Sequence, residues 1–388
     1  MPRTVAPSSE NQFEILEDAM STRFQIGSLA LAFTLGLGLT SGCEQPGAAP
    51  DEGSRSQADS TWYGKYPNGT GIYIATTNPR SEWGIKTLDG WFYMTGFTNS
   101  GTDVVVNGGY WTGGGLEVKK GRVTSAEWNG ISYAVREVAT KGSDFRLILV
   151  DPVTMGSIEL AGDKLSDVRV HMAIPRPGKR SYDDHYSLLF QGVKTLETPS
   201  QDIIGYELVT LHDNDPGASK MPFCSRSDLG TNELAQFSQG SQWDVLTAAR
   251  ADDPSLVSVS CSSGGIGRCE QWGYRPWLEA QVASSGTCEK LVDAHQSCIY
   301  MKRADYCGTG DTYTEDGTMI GIDDNFTPAF QKSGGEKIEA VWGPKGAVCL
   351  DLANRRRPDL PFPGCAVPLP TCTAASYGSQ WYVQSSLM

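Results

Sequence analysis

The chain has 388 residues and carries 32 Lys and Arg against 45 Asp and Glu, a formal net charge of -13. That balance argues against nucleic acid as a partner, because a polyanion is held by basic patches that release counterions. With 39% hydrophobic residues, 44 Gly and 21 Pro, the chain can fill a core yet is rich in turns, which disfavours long coiled coils and wholesale disorder.

At the N-terminus, Arg23 precedes an apolar run from Ile26 to Leu39, closed by Thr40, Ser41, Gly42 and Cys43. The run is short for a membrane span, which needs about 20 apolar residues, and small residues before a Cys suit a lipoprotein signal peptidase. Residues 1–43 therefore read as an N-terminal extension, signal peptide and lipobox, with Cys43 as the lipidation site. An ordinary secretory signal cut nearby and an uncleaved anchor are the competing readings. Glu10, Glu14, Glu17 and Asp18 stand where a positive segment belongs, which favours Met20 over Met1 as the start. Residues 44–60 hold no aromatic residue and read as a flexible tether. The expected destination is the cell envelope, as an outer-membrane lipoprotein held to the membrane through Cys43.

From residue 61 to 203 short runs rich in β-branched and aromatic residues alternate with Gly, Asn and Asp. They are Gly71–Ala75, Asp103–Asn107, Ile131–Val135, Phe145–Val150, Ser157–Leu160 and Asp167–His171. This spacing predicts antiparallel β-structure. Aromatic residues such as Tyr63, Tyr66, Tyr73, Trp83, Trp91, Tyr93, Trp111 and Trp128 suit a core and cross-strand pairs better than a sugar-stacking platform.

Residues 204–388 hold most of the cysteines, so they read as a disulfide-rich β module with one short helix; the fold class is mainly β (α+β). Cys261, Cys269, Cys288, Cys298, Cys307, Cys349, Cys365 and Cys372 are expected to form four bridges in an exported protein, leaving isolated Cys224 unpaired. Eight cysteines allow 105 connectivities and spacing chooses none of them. Zinc is the competing reading; it lacks a C-x-x-C pair. Leu291, Val292, His295, Cys298 and Met301 recur at helical spacing, which predicts a helix within 287–304 with Cys307 just beyond its end. Asp316-Gly317, followed by Thr318, predicts a type I′ hairpin turn. Calcium held by Asp305, Asp311, Glu315, Asp316, Asp323 and Asp324 is the alternative, although position six from Asp311 is not the Gly of an EF-hand.

Three long motifs stand out in this half: Cys269, Trp272, Gly273, Tyr274, Pro276 and Trp277, then Arg303, Asp305, Tyr306, Cys307 and Gly308, then Asp316, Gly317 and Thr318. They resemble the ADYC-domain family of bacterial envelope proteins. Glu339 to Trp342 and Gly346 to Cys349 extend the likeness, which runs from about Ile204 to Cys372. The resemblance implies no activity, substrate or catalytic residue.

No G-x-S-x-G elbow, H-E-x-x-H, phosphate loop or dinucleotide fingerprint is present. Cys298 beside His295 could form a thiolate pair, but an oxidising compartment favours a disulfide. His185 with Asp183 and Asp184 reads as solvated loop, and Arg355-Arg356-Arg357 as a solvated turn. The expected function is an envelope-anchored binding or structural module, with an envelope glycan or protein as partner and no cofactor. A hydrolase acting on envelope polymers is the alternative.

Overall fold

The computed structural model describes Cys43 and residues 84–387, apart from 113–114, 179–182, 197, 199–202, 216–218, 227–230, 245–246, 316–317, 333–336 and 374–380. The tether, the run Gly71–Ala75, Tyr63, Tyr66, Tyr73 and Trp83 lie outside the described residues, as do Asp316 and Gly317 of the expected hairpin turn. Every other predicted β run falls within a strand or overlaps one.

Eight antiparallel strands close on themselves into a barrel. Gly90–Ser100 pairs with Asp103–Thr112, which pairs with Gly115–Trp128. The ring continues through Arg169–Pro175, Asp183–Thr195 and Ile204–His212. It then passes to Ala235–Trp243 and Arg250–Cys261, and the last of these returns to Gly90–Ser100. Period-two patterning drives this closure, because alternate side chains point to one face. Val170, Met172 and Ile174 on one strand, and Tyr186, Leu188 and Phe190 on the next, are all buried. An eight-stranded barrel is just wide enough for side chains to fill, and here aromatic rings fill it. At the closing seam Gly96 has φ +151° and the Val257 carbonyl would lie 2.2 Å from an added Cβ, so only glycine lets the strands meet.

A three-stranded meander, Ile131–Lys141, Asp144–Val150 and Ser157–Ala161, leaves the ring through the hairpin at residues 126–133. It lays Phe145 against Phe237 at 4.3 Å and Phe190 at 5.6 Å. The hydroxyl of buried Tyr206 accepts from the Phe145 amide at 2.7 Å and lies 3.1 Å from Asp144 Oδ1. Asn99 clasps the Val138 backbone on both its amide and its carbonyl. These contacts fasten the meander over the aromatic core of the barrel.

After Cys261 the chain turns into helix α1 (Gly265–Gln271) and helix α2 (Val292–Arg303). A four-stranded antiparallel sheet follows, ordered Ile320–Asp324, Val383–Leu387, Lys337–Gly343, Gly346–Leu350. A smaller sheet joins Cys288–Lys290, Glu279–Val282 and Phe326–Thr327. Four expectations change. The boundary placed between residues 203 and 204 cuts the barrel, whose last three strands lie beyond it. Among the described residues there are two α-helices rather than one, and α2 begins at Val292 because residues 288–290 are drawn into a sheet. His185 and Asp184 stand on a strand and not in a loop.

The cysteines pair as Cys43–Cys288, Cys224–Cys261, Cys269–Cys298, Cys307–Cys365 and Cys349–Cys372. Cys224 is therefore bridged and not left over, and Cys261 and Cys288 bond outside the expected set of eight. Cys43 Sγ, expected to carry a lipid, is half of a disulfide here; one sulfur cannot be both bridged and acylated. Spacing could not foresee this, because a bridge needs Cα atoms roughly 4.4–6.8 Å apart, and the fold brings Cys43 to 5.6 Å from Cys288 across 245 residues.

Candidate functional site

The segment following α2 is built as a corner. Ala304 closes the helix with φ 52°, and its amide bonds the Met301 carbonyl at 3.0 Å. Asp305, with no exposed surface, accepts from the amides of Thr309 at 3.0 Å and Gly310 at 2.8 Å. Burial raises the Asp305 carboxyl while nearby Arg303 and those amides pull it back. Arg303 is itself buried and donates to the Gly310 carbonyl at 2.7 Å. Tyr306 is buried between Trp342 and Tyr313, with ring centroids at 5.4 and 5.6 Å. Cys307 bridges to Cys365. Gly308 has φ +65° and would place a Cβ 2.2 Å from the Lys345 carbonyl, so the corner docks backbone to backbone on the turn at residues 343–346.

Behind the corner lies a sealed ionic group. Arg356 and Glu339 have no exposed side-chain surface and pair at 2.8 Å. Glu339 also accepts from the Tyr306 hydroxyl at 2.6 Å and from Ser385 Oγ at 2.7 Å, and Ser385 accepts from Trp342 Nε1 at 2.8 Å. Arg356 donates to the carbonyls of Met301 at 2.6 Å and Lys302 at 3.3 Å, the open end of α2. Every oxygen of the carboxylate is engaged by a donor, which is the condition under which a buried pair is tolerated. The Arg355-Arg356-Arg357 triplet is accordingly not a solvated turn. Arg355 and Arg356 are buried, and Arg357 pairs with Glu315 and Asp359.

The other expected motif packs likewise. Trp272 and Tyr274 are buried, the Tyr274 hydroxyl lies 3.2 Å from Asp324 Oδ2, and Gly273 at φ +107° lets Phe330 lie against its backbone. Trp277 lies against Gly142 of the meander turn. Pro276 follows buried Arg275 on the same turn, and Thr318 donates its amide to the Glu315 carbonyl at 3.3 Å.

A Ser, His and Asp do meet, on the outer wall of the barrel. Asp213 Oδ2 is 2.9 Å and Ser187 Oγ 3.0 Å from the same nitrogen, His171 Nδ1, while Ser187 Oγ donates to Asp213 Oδ1. Nucleophilic activation needs serine on one ring nitrogen and carboxylate on the other. Here Nε2 faces Glu127 at 3.9 Å and Ser187 is fully buried. Burial works to raise the Asp213 carboxyl, but the bonds from His171 and Ser187 leave it below the usual carboxylate range. The trio is a cross-strand hydrogen-bond set. His295 likewise has no free thiolate beside it, because Cys298 is bonded to Cys269; burial pushes its imidazole down to about 4 and its Nε2 lies 3.1 Å from the Ile266 carbonyl.

Of the acidic residues weighed for calcium, Asp305 and Asp324 are turned onto backbone amides and Glu315 onto Arg357. Among the described residues no group of three His, Cys, Asp or Glu is placed to hold a metal ion. A cleft of about 240 Å³ lies between Lys86, Leu88, Thr210, His212 and Met221. Both His212 nitrogens are buried in protein without a hydrogen-bond partner.

The segment Ala304-Asp305-Tyr306-Cys307 thus has a separate task for each residue: helix cap, amide acceptor, buried hydroxyl and bridge. The model of the ADYC domain matches residues 159–356. The chain belongs to the ADYC-domain family. No curated protein and no solved structure matches it. The family match begins earlier than Ile204 and ends before Cys365, so it takes in five of the eight barrel strands together with the corner and Arg356. The rest of the ADYC assembly comes from outside the match: three barrel strands from residues 90–128, Cys365, and Ser385 on the final strand. Asp305 and Tyr306 stand out in the sequence by themselves. Glu339 stands out only within the family likeness, and Arg356 belongs to a triplet that reads as a solvated turn. Ser385 carried no local signal at all, since a serine in a strand is unremarkable until its neighbours are known.

Among the described residues no helix is long and apolar enough to cross a membrane. Five disulfides place the ADYC protein in an oxidising, extracytoplasmic environment.

Proposed function

We propose that the protein is an exported binding or bracing module of the bacterial cell envelope, anchored there when Cys43 is acylated. The observation that carries this reading is the filled barrel. Phe92, Met172, Tyr186, Phe190, Tyr206 and Phe237 occupy its interior with almost no exposed surface, which leaves the outer wall to meet a partner. On that wall Trp111 is 45% exposed, with Tyr93 set edge-on at 6.4 Å. Exposed aromatic faces suit the apolar faces of sugar rings, so an envelope glycan is the partner class this surface fits. Support for the module over a hydrolase comes from the ionisable groups, which are turned onto one another. Arg250 pairs with Asp252, and the Tyr382 hydroxyl lies 2.9 Å from Glu289, within an open polar groove. The anchor is supported by the apolar run that ends at Thr40-Ser41-Gly42-Cys43.

The test is co-sedimentation with purified envelope glycan, read together with release of reducing ends. Retention that falls several-fold in Trp111→Ala, with no reducing ends formed, is the expected result. Time-dependent release of reducing ends would overturn the module in favour of a hydrolase.

A further inference from the structure

We propose that Cys43 and Cys288 form a covalent branch point, in which acylation of Cys43 leaves Cys288 as the one exposed thiol of the anchored chain and hence its modification site. The inference rests on the anchored reading above. All ten cysteines are paired and none is free. A lipid on Cys43 removes one partner from an even set, and the other eight are already engaged with one another. The stranded sulfur is therefore Cys288 and no other. Its position makes this chemically consequential: Cys288 opens the outer strand of the three-stranded sheet and is exposed, whereas Cys224, Cys261, Cys269, Cys298 and Cys349 are buried. A thiol on an exposed edge is within reach of other thiols and of electrophiles; a buried one is inert.

The two fates draw on the same valence of Cys43 Sγ. In acylation an Sγ–C bond forms to the diacylglyceryl carbon while the bond from that carbon to the phospholipid headgroup phosphate breaks, and the departing phosphate takes the thiol proton. In bridging, the thiols of Cys43 and Cys288 lose two protons and two electrons to a protein disulfide of the oxidising compartment, which becomes a dithiol. Whichever reaction reaches Cys43 first decides whether Cys288 is a bridge or a thiol.

The test exports the full chain, separates detergent-phase from aqueous-phase protein and alkylates both with a maleimide under denaturing conditions without reductant. Cys43→Ser is treated in parallel, and mass mapping locates lipid and label. In the acylated chain one label per molecule is expected at Cys288, or a reducible Cys288–Cys288 link between two copies. The unacylated chain should carry none, and Cys43→Ser should carry one at Cys288. An acylated chain with neither label nor link at Cys288, or labelled elsewhere, overturns the branch point while the anchor stands. Neither label nor link at Cys288 on Cys43→Ser overturns the pairing itself. If no acylated fraction exists, the anchor fails and the branch with it, even where Cys43→Ser still exposes Cys288.

Discussion

Two neighbouring arginines in one triplet illustrate how far burial outweighs charge. Arg357 forms two ion pairs, at 2.8 and 2.7 Å, with Glu315 and Asp359, both more than half exposed. Exposed pairs contribute about 0–1 kcal/mol, because water screens them and the side chains lose rotamer freedom. Arg356 forms one pair, with Glu339, and neither has any exposed side-chain surface. Removing it strands a buried carboxylate and frees two carbonyls at the end of α2. Arg356→Met is therefore expected to cost about 3–5 kcal/mol, and Arg357→Met less than about 1 kcal/mol. Urea unfolding of both variants checks this, and equal losses would place the Glu339 group in water. The same burial explains why the triplet misleads a reader of the sequence: three adjacent arginines look solvated until a carboxylate 17 positions upstream turns out to face one of them.

The helices show which of two effects governs the disulfides. Cys269–Cys298 ties α1 to α2 across 29 residues, and Cys307–Cys365 closes the corner across 58. Loop-closure entropy favours the longer bridge, but doubling a loop is worth only about 0.6 kcal/mol. Packing favours the shorter bridge, since Cys269 and Cys298 are wholly buried and Cys307 and Cys365 are not. Deleting two buried sulfurs leaves a cavity costing on the order of 1–2 kcal/mol. Cys269→Ala with Cys298→Ala is thus expected to lower the melting temperature further than Cys307→Ala with Cys365→Ala. Calorimetry on the two double variants decides it; the reverse order would mean that chain entropy dominates. At this scale the helical spacing around Cys298 was visible in the sequence, whereas the partner of Cys298 was not, since α1 is too short to show a period of its own.

At the scale of the whole molecule, the buried groups Glu270, Asp324 and His295 add a pH dependence of stability whose sign burial sets. Burial pushes Glu270 up to about 8, against hydrogen bonding from Ser238, and pushes Asp324 up to about 7. Both bind a proton in the folded chain at pH values where the unfolded chain has released it. Their effect is a stability that falls as pH rises, from about 4 to about 8. His295, pushed down to about 4 by burial, works in the opposite sense: the unfolded chain binds the proton, so stability rises with pH between about 4 and 6.5. The net result of the three is a decline of nearly uniform slope between about pH 5 and 7.5, because the histidine offsets one carboxyl below about 6.5 and Asp324 has released its proton in the fold above about 7. Glu270→Gln should flatten that decline. Chemical denaturation at pH 5, 6.5 and 8 measures it, and a stability that increased from 6.5 to 8 would show that Glu270 is ionised in the fold.

Local chemistry in the sequence determined the β-rich class, the runs that became strands, the helix that carries Cys298, and the family through the Ala304-Asp305-Tyr306-Cys307 segment and its neighbours. Those signals act over a few residues: period-two alternation, helical spacing, turn chemistry and contiguous motifs. Closure of eight strands into a barrel, the five cysteine pairings and the Glu339, Arg356 and Ser385 group were decided only by the tertiary structure. Each joins positions tens to hundreds of residues apart, from 17 between Glu339 and Arg356 to 245 between Cys43 and Cys288. No local propensity encodes which strand edge, sulfur or carboxylate will arrive; the packing of the whole chain selects the partner by distance and by what burial leaves unsatisfied.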